Sequence, residues 1–337
     1  MSTVTAALTP PPTKPEASRP ASRIALVIVS KYGTVFAMAI MILIFGLAVP
    51  NGAFLRTTNL LAIVNQSALT AIIASGLTLV LVVGEMDLSI GYGASLAGII
   101  VTGLMLNQGL PMPVAILVTV AMGALIGAVN GTLVTKAGVN AVVATLGVGT
   151  VLIGLSYGYT AGSPIISVPK GFTDLTLGRL GGIQNPIWYM LAILAVLWVV
   201  LNRTPLGQRM QAVGANKSAA RLAGIRTDRA TIAAFVIGGS CAAITGILLA
   251  SLLGSGTVSA GDGYLLDSFA AVFLGAATLR DGEFHIVGTL IGVLVVNIGF
   301  NGLSLFGTPT FWQFVFKGGI LVLAVALSTI ARRYSRL

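Results

Sequence analysis

Polar residues gather in a few short stretches of this chain, and apolar residues run almost unbroken between them. Apolar segments occupy 33–50, 60–83, 91–107, 112–135, 139–158, 186–202, 231–253, 266–279, 286–305 and 314–331. A helix needs about 20 residues to cross about 30 Å of hydrocarbon. A membrane β-barrel would show short alternating segments with aromatic girdles instead. The long continuous runs predict an all-α, polytopic membrane protein with about ten transmembrane helices. Several segments are short or interrupted by glycine, so broken or re-entrant helices are expected among them. Segment 266–279 carries Asp267 and Ser268 at its start, which weakens it most.

The polar stretches set the organisation. Residues 1–31 are expected to form a disordered tail, rich in Pro, Ser and Thr over 1–23. Residues 32–331 form one transmembrane domain, and 332–337 a short basic tail. Within the domain, 159–185 and 203–230 are the two long hydrophilic loops.

Composition sharpens this picture. Charged residues make up 8% of the 337 residues and hydrophobic residues 56%, whereas soluble domains carry about 25% charged residues. An ordinary soluble protein is excluded. The net charge of +10 matters through its placement. With the N-terminus inside and every segment crossing, 15 of the 19 Lys and Arg residues fall on the inner side and 4 outside. That bias places both termini in the cytoplasm. The single cysteine, Cys241, and single histidine, His285, close the usual routes to disulfides, metal clusters and zinc chemistry. No metal site is expected, and the run GANKS at 214–218 lacks the spacing of a phosphate-binding loop.

The inner loop carries most of the local signal. Pro205 and Gly207 end the preceding helix. Asn216 is placed to cap a new short helix, KSAARLAGI, and Gly224 to end it. Such a helix, with Ala219, Leu222 and Ala223 as apolar contacts, suits docking into a groove on a soluble partner. Gly123, Gly127 and Gly131 line one face of segment 112–135 and favour close helix packing, within the chain or between subunits. Asn65, Gln66, Asn297 and Asn301 are uncharged polar residues inside apolar segments. They either satisfy neighbouring helices or line a watery path. Glu85 and Asp87 stand at the inner end of segment 60–83. Asp87 reads as a cap or turn residue, with ion coupling as the alternative.

At the inner loop a resemblance emerges. Gly207, Arg209, Ala212, Gly214, Asn216, Ala219, Ala220, Gly224 and Ile225 resemble the coupling loop of sugar permeases in binding-protein-dependent ABC importers, the ribose-type group above all. GEMDLSIG at 84–91 resembles that family's GGxDLSVG, and GAVNGTLVTKAGVNAVVATLG at 127–147 resembles its GxxNGxxVxxxxxxxFIATLG. YTAGSPI at 159–165, the stretch 260–292 and NGLSLFG at 301–307 continue the match in order. Glu85 departs from the family's usual Gly, and Asp281 and Glu283 lie where a Gly-rich turn is common.

The resemblance implies a non-enzymatic permease subunit in a bacterial inner membrane. It implies that the loop residues above, with Arg221, meet a cytoplasmic ABC ATPase that holds the ATP and magnesium. This chain itself holds no cofactor. A second permease subunit, identical or paralogous, and an extracytoplasmic solute-binding protein would complete the importer. The binding protein would meet loops 159–185 and 254–265, and no nucleic acid is implied. The implied solute is a sugar or related polyol. The alternatives are a nucleoside or branched-chain amino acid on the same machinery, or a stand-alone secondary transporter.

Overall fold

The structure is a computed structural model and describes residues 21–276 and 282–334. Ten apolar helices match the ten apolar segments. They are α1 (Ala21–Ala48), α2 (Thr57–Val82), α3 (Ile90–Leu106), α4 (Met112–Thr135) and α5 (Ala141–Thr160). After a short α6 (Lys170–Leu177) come α7 (Asn185–Arg203), α8 (Pro205–Ala215), α9 (Lys217–Leu222) and α10 (Thr227–Leu253). Helices α11 (Gly263–Ala276), α12 (Ile286–Leu305) and α13 (Thr310–Tyr334) end the chain. Six of these are long and apolar enough to cross a membrane, and shorter apolar helical stretches lie at Tyr32–Ala48, Ile90–Leu106, Gly263–Ala276 and Thr310–Leu323. The architecture is that of an all-α multi-pass membrane protein. Its only strands among the described residues are two-residue pairings.

Three boundaries differ from the sequence reading. Helix α1 begins at Ala21, inside the stretch assigned to the tail; residues 1–20 lie outside the described residues. Helix α13 runs to Tyr334, into the stretch assigned to the basic tail. Helix α11 has 14 residues, about 21 Å at 1.5 Å per residue. Residues 277–281, with Arg280 and Asp281, lie outside the described residues. Helices α6 and α8 fall in the two hydrophilic loops, where apolar runs carry no signal.

Helix α10 is the centre of the packing. It lies against α2, α3 and α4 at once, and glycines set each approach. A Cβ on Gly127 would stand 2.1 Å from the Phe235 carbonyl oxygen, and one on Gly123 2.5 Å from that of Gly239. On α2, a Cβ at Gly76 would meet the Cys241 Cβ at 2.6 Å. On α3, Gly98 faces the backbone of Gly246, whose own Cβ would strike the Ala94 carbonyl at 2.1 Å. The glycines of α4 therefore pack within the chain. The buried residues of α4, among them Ala115, Thr119, Gly123, Gly127 and Gly131, form a single stripe toward α10. Helix α2 is buried without a break from Ser67 to Leu81, as expected of a helix apolar on all sides.

Hydrogen bonds between buried hydroxyls pin the remaining elements. The Thr78 and Thr289 hydroxyls meet at 2.7 Å between α2 and α12. Ser251 on α10 donates to the Phe172 carbonyl at 2.7 Å, holding α6 down. Ser95 on α3 donates to Asp262 at 2.7 Å and accepts from the Gly261 N–H. The segment before α6 pairs antiparallel with the segment after α10, Ile165 opposite Gly256 and Ile166 opposite Ser255. The two long-range loops at that end are thus joined.

Replacing Gly127 with Ala is expected to destabilise the protein by about 1–3 kcal/mol, because backbone rather than a flexible side chain blocks the new methyl. Gly154→Ala on α5, where nothing lies within 4 Å, is expected to leave thermal unfolding in detergent unchanged or slightly later. Unfolding temperatures of the two variants check the difference.

Candidate functional site

The two ends of the helix bundle carry different chemistry. At the end where α6 lies, α2, α11 and α12 border a partly open cavity of about 190 Å³. Asn65, Gln66, Leu69 and Thr70 of α2 line it, spaced so that one helical face points inward. Asn297 of α12, Tyr264 and Asp267 of α11, and Thr176 of α6 complete its polar wall, with Leu252 and Pro186 as apolar lining. The Asn65 Oδ1 is buried and has no hydrogen-bond partner among the described residues. A buried acceptor left over at a cavity wall implies water or a solute there. Asn297 donates to the Val293 carbonyl of its own helix at 3.0 Å.

Three of the four polar residues singled out from the sequence thus share one wall. Asn301 does not. Its amide exchanges two hydrogen bonds with that of Asn59, each 2.9 Å, and the pair satisfies itself. Sequence reasoning missed Tyr264, Asp267, Thr70 and Thr176. Asp267 was detectable as an acid within an apolar segment. It forms a 2.6 Å ion pair with Lys317 of α13, and both side chains are largely buried. Lys317 sits within α13, against Asp267 and the Phe300 ring.

At the opposite end lies the basic loop. Thr204 caps α8 by accepting from the Gly207 N–H at 3.3 Å, and Pro205 occupies the first turn, where its missing N–H costs nothing. The Pro–Gly signal that ends α7 therefore also starts α8. Met210 and Val213 are buried beneath it. Gly207 is pressed on the carbonyls of Val200 and Leu201, and a Cβ on Gly214 would fall 1.7 Å from the Val82 oxygen. Both glycines are required by close backbone approach, one to α7 and one to the end of α2.

Helix α9 follows as the sequence predicts. The Asn216 side chain accepts from the Ala219 N–H at 2.9 Å. The helix stops when Gly224 turns left-handed at φ 80°. Gly224 then donates to the Arg221 carbonyl and Ile225 to that of Ala220, a Schellman ending. Ala220 is buried and Ile225 half-buried, whereas Arg209, Ala219, Arg221 and Ala223 are exposed. Leu222 is 90% exposed at the tip. Ion pairs hold α9 on both sides. Lys217 reaches Glu85 at 3.0 Å. On the other side Asp228 pairs with Lys136 at 2.9 Å and faces Arg221 at 3.9 Å.

Glu85 is therefore a contact of the basic loop. Asp87 is a structural turn, but it is not peripheral: it is 1% exposed. Its carboxylate accepts from the Ser89 N–H at 2.8 Å and hydroxyl at 2.6 Å, and Ser89 accepts from Asn130 of α4. Burial pushes its pKa up, and the Ser89 hydrogen bonds draw it part of the way back.

Residues 59–325 match the family described as branched-chain amino acid transport system, permease component. The chain belongs to this family. It is 37% identical over 292 residues to the ribose import permease protein of Bacillus subtilis, covering 86% of this chain and 90% of the relative. The D-allose transport system permease protein of Escherichia coli is 31% identical over 300 residues (89% and 92%). The xylose transport system permease protein of the same organism is 30% identical over 360 aligned positions (89% and 92%). The relatives are transport permeases, and the chain is a permease of their kind. No solved structure matches it.

Asp87→Ala is expected to destabilise the protein by about 1–3 kcal/mol, since it strands the Ser89 N–H and hydroxyl donors at a buried turn. Asp87→Asn, which keeps an acceptor, is expected to cost less. Thermal unfolding in detergent checks the order of the two.

Proposed function

We propose that the chain is the membrane subunit of an ATP-driven importer for a sugar or related polyol. The observation that carries this reading is the pairing of a polar cavity at one end with an exposed, clamped helix at the other. The ribose, allose and xylose permeases to which the chain is similar support the sugar class. The cavity supports it too, because amides and hydroxyls recognise hydroxylated solutes by hydrogen bonding.

On this reading α9 and the end of α8 dock in a groove on a cytoplasmic ATPase, with Leu222 entering first. The partner holds the ATP and magnesium. ATPase closure pushes α8 and α9, and the contacts of Gly214 with Val82 and of Lys217 with Glu85 pass the movement to α2. Helix α2 carries Asn65 and Gln66, so displacing it opens or closes the cavity. The basic end is cytoplasmic, as are both termini, and the membrane is the bacterial inner membrane. The joined loops around Ile165 and Ser255 face outward and receive a solute-binding protein. A second permease subunit completes the pathway.

A second reading keeps the same machinery and exchanges the solute for a branched-chain amino acid, as the family's description names. The lining favours the sugar, since it offers a carboxylate and no cation to an amino acid's carboxyl group. A secondary transporter coupled to an ion would use Asp267, which Lys317 already neutralises.

Gentle affinity purification from the native membrane tests the proposal. A P-loop ATPase is expected to co-purify with the wild-type chain. Gly224→Asp strains the left-handed turn, and Ala220→Pro breaks α9. Both variants are expected to insert normally and to lose the ATPase. Normal association in both, or uptake by the chain alone in ATP-free vesicles, would refute it.

A further inference from the structure

The cavity wall mixes neutral and charged groups unevenly. Its lining holds amides, hydroxyls and one carboxylate, Asp267, and no cation. The cation that balances Asp267 comes from outside the lining: Lys317, 2.6 Å away on α13. The ammonium of Lys317 also stands 5.3 Å from the centre of the Phe300 ring. It is thus held between a carboxylate and an aromatic face, the two surroundings that keep a buried ammonium charged.

A buried ion pair is poor evidence for stability, since desolvation offsets its attraction. Well-packed apolar residues would join α11 to α13 as well. An ionised carboxylate at a membrane cavity is costly and is explained by use. Its use follows from its surroundings. Asn65 across the cavity leaves an acceptor unpaired, and Tyr264, one turn before Asp267, lines the same wall. A solute rich in hydroxyl groups supplies donors to both acceptors. A solute with its own carboxylate meets repulsion from Asp267.

We infer that Asp267, held in place by Lys317, is the specificity-determining residue of this cavity, accepting hydrogen bonds from the hydroxyls of an uncharged polyhydroxy solute. The inference rests on the importer reading above and deepens it. Lys317 is a positioning residue: it keeps the carboxylate charged and aimed and does not touch the solute.

The experiment uses cells producing the whole importer, with the same binding protein throughout, and measures maximal uptake of labelled ribose, xylose and allose. Asp267→Asn is expected to lower uptake about tenfold, the worth of one charge-assisted hydrogen bond. Two double variants separate recognition from packing. Asp267→Asn with Lys317→Met removes both charges, and Asp267→Lys with Lys317→Asp exchanges them. Both avoid a lone buried charge, and both are expected to assemble with the ATPase yet stay at least about tenfold low. Recovery of near wild-type uptake in either one would overturn the inference and leave the pair a structural tie. If the exchanged pair does not assemble, the neutral pair decides by the same criterion. Wild-type cells that import none of the three sugars would overturn the sugar-importer reading itself, and this inference with it.

Discussion

Helix α10 meets α2, α3 and α4 at backbone distance, and every other feature of the protein hangs on those crossings. At Gly123, Gly127, Gly239 and Gly246 the neighbouring carbonyl stands where a side chain would begin. In a bilayer the lipid is as apolar as the side chains, so burial of apolar surface does not drive helices together. Close packing and the weak contacts it permits must do so. The absence of side chains at these points is therefore what brings the four helices into one bundle. The buried threonine and serine hydroxyls then fix register, because each wants a partner that hydrocarbon does not provide.

The same helices connect the two ends. Helix α2 shows the cavity its Asn65–Thr70 face and shows the basic loop its last residue, Val82. The distance from Thr70 to Val82 is about 18 Å along the helix, through a stretch buried on all sides. A rod packed that tightly moves as a unit or not at all. Helix α10 runs beside it, from Asp228 at the ion-paired clamp to Leu252 at the cavity. Between the ends the contacts are mainly close packing, with the buried Thr78–Thr289 hydroxyl pair as a tie between α2 and α12, which suits transmission of movement.

The polar residues illustrate why residue type alone is a weak guide inside a membrane. Asn297 and Asn301 stand one turn apart on α12. One lines the cavity and the other pairs with Asn59. No local pattern separates them, since the difference lies in what α2 and the residues before it place opposite each. Asp267 and Lys317 are 50 positions apart in the sequence. Each alone reads as a blemish near a segment end, and only their contact makes them a pair.

The sequence by itself determined the apolar helices, their order and the short capped helix α9. These depend on nearest-neighbour chemistry: a run long enough to satisfy its own backbone in lipid, an Asn that caps, a Gly that turns left-handed. It also carried the family resemblance, because motifs in order survive without knowledge of contacts. Tertiary structure alone decided which face of each helix is inside and that the α4 glycines meet α10. It alone brought Tyr264 and Asp267 to the wall with Asn65, and tied Glu85 to the basic loop. Those facts depend on groups far apart in the chain meeting in space, and hydrophobic patterning is silent about them when lipid and protein interior are equally apolar.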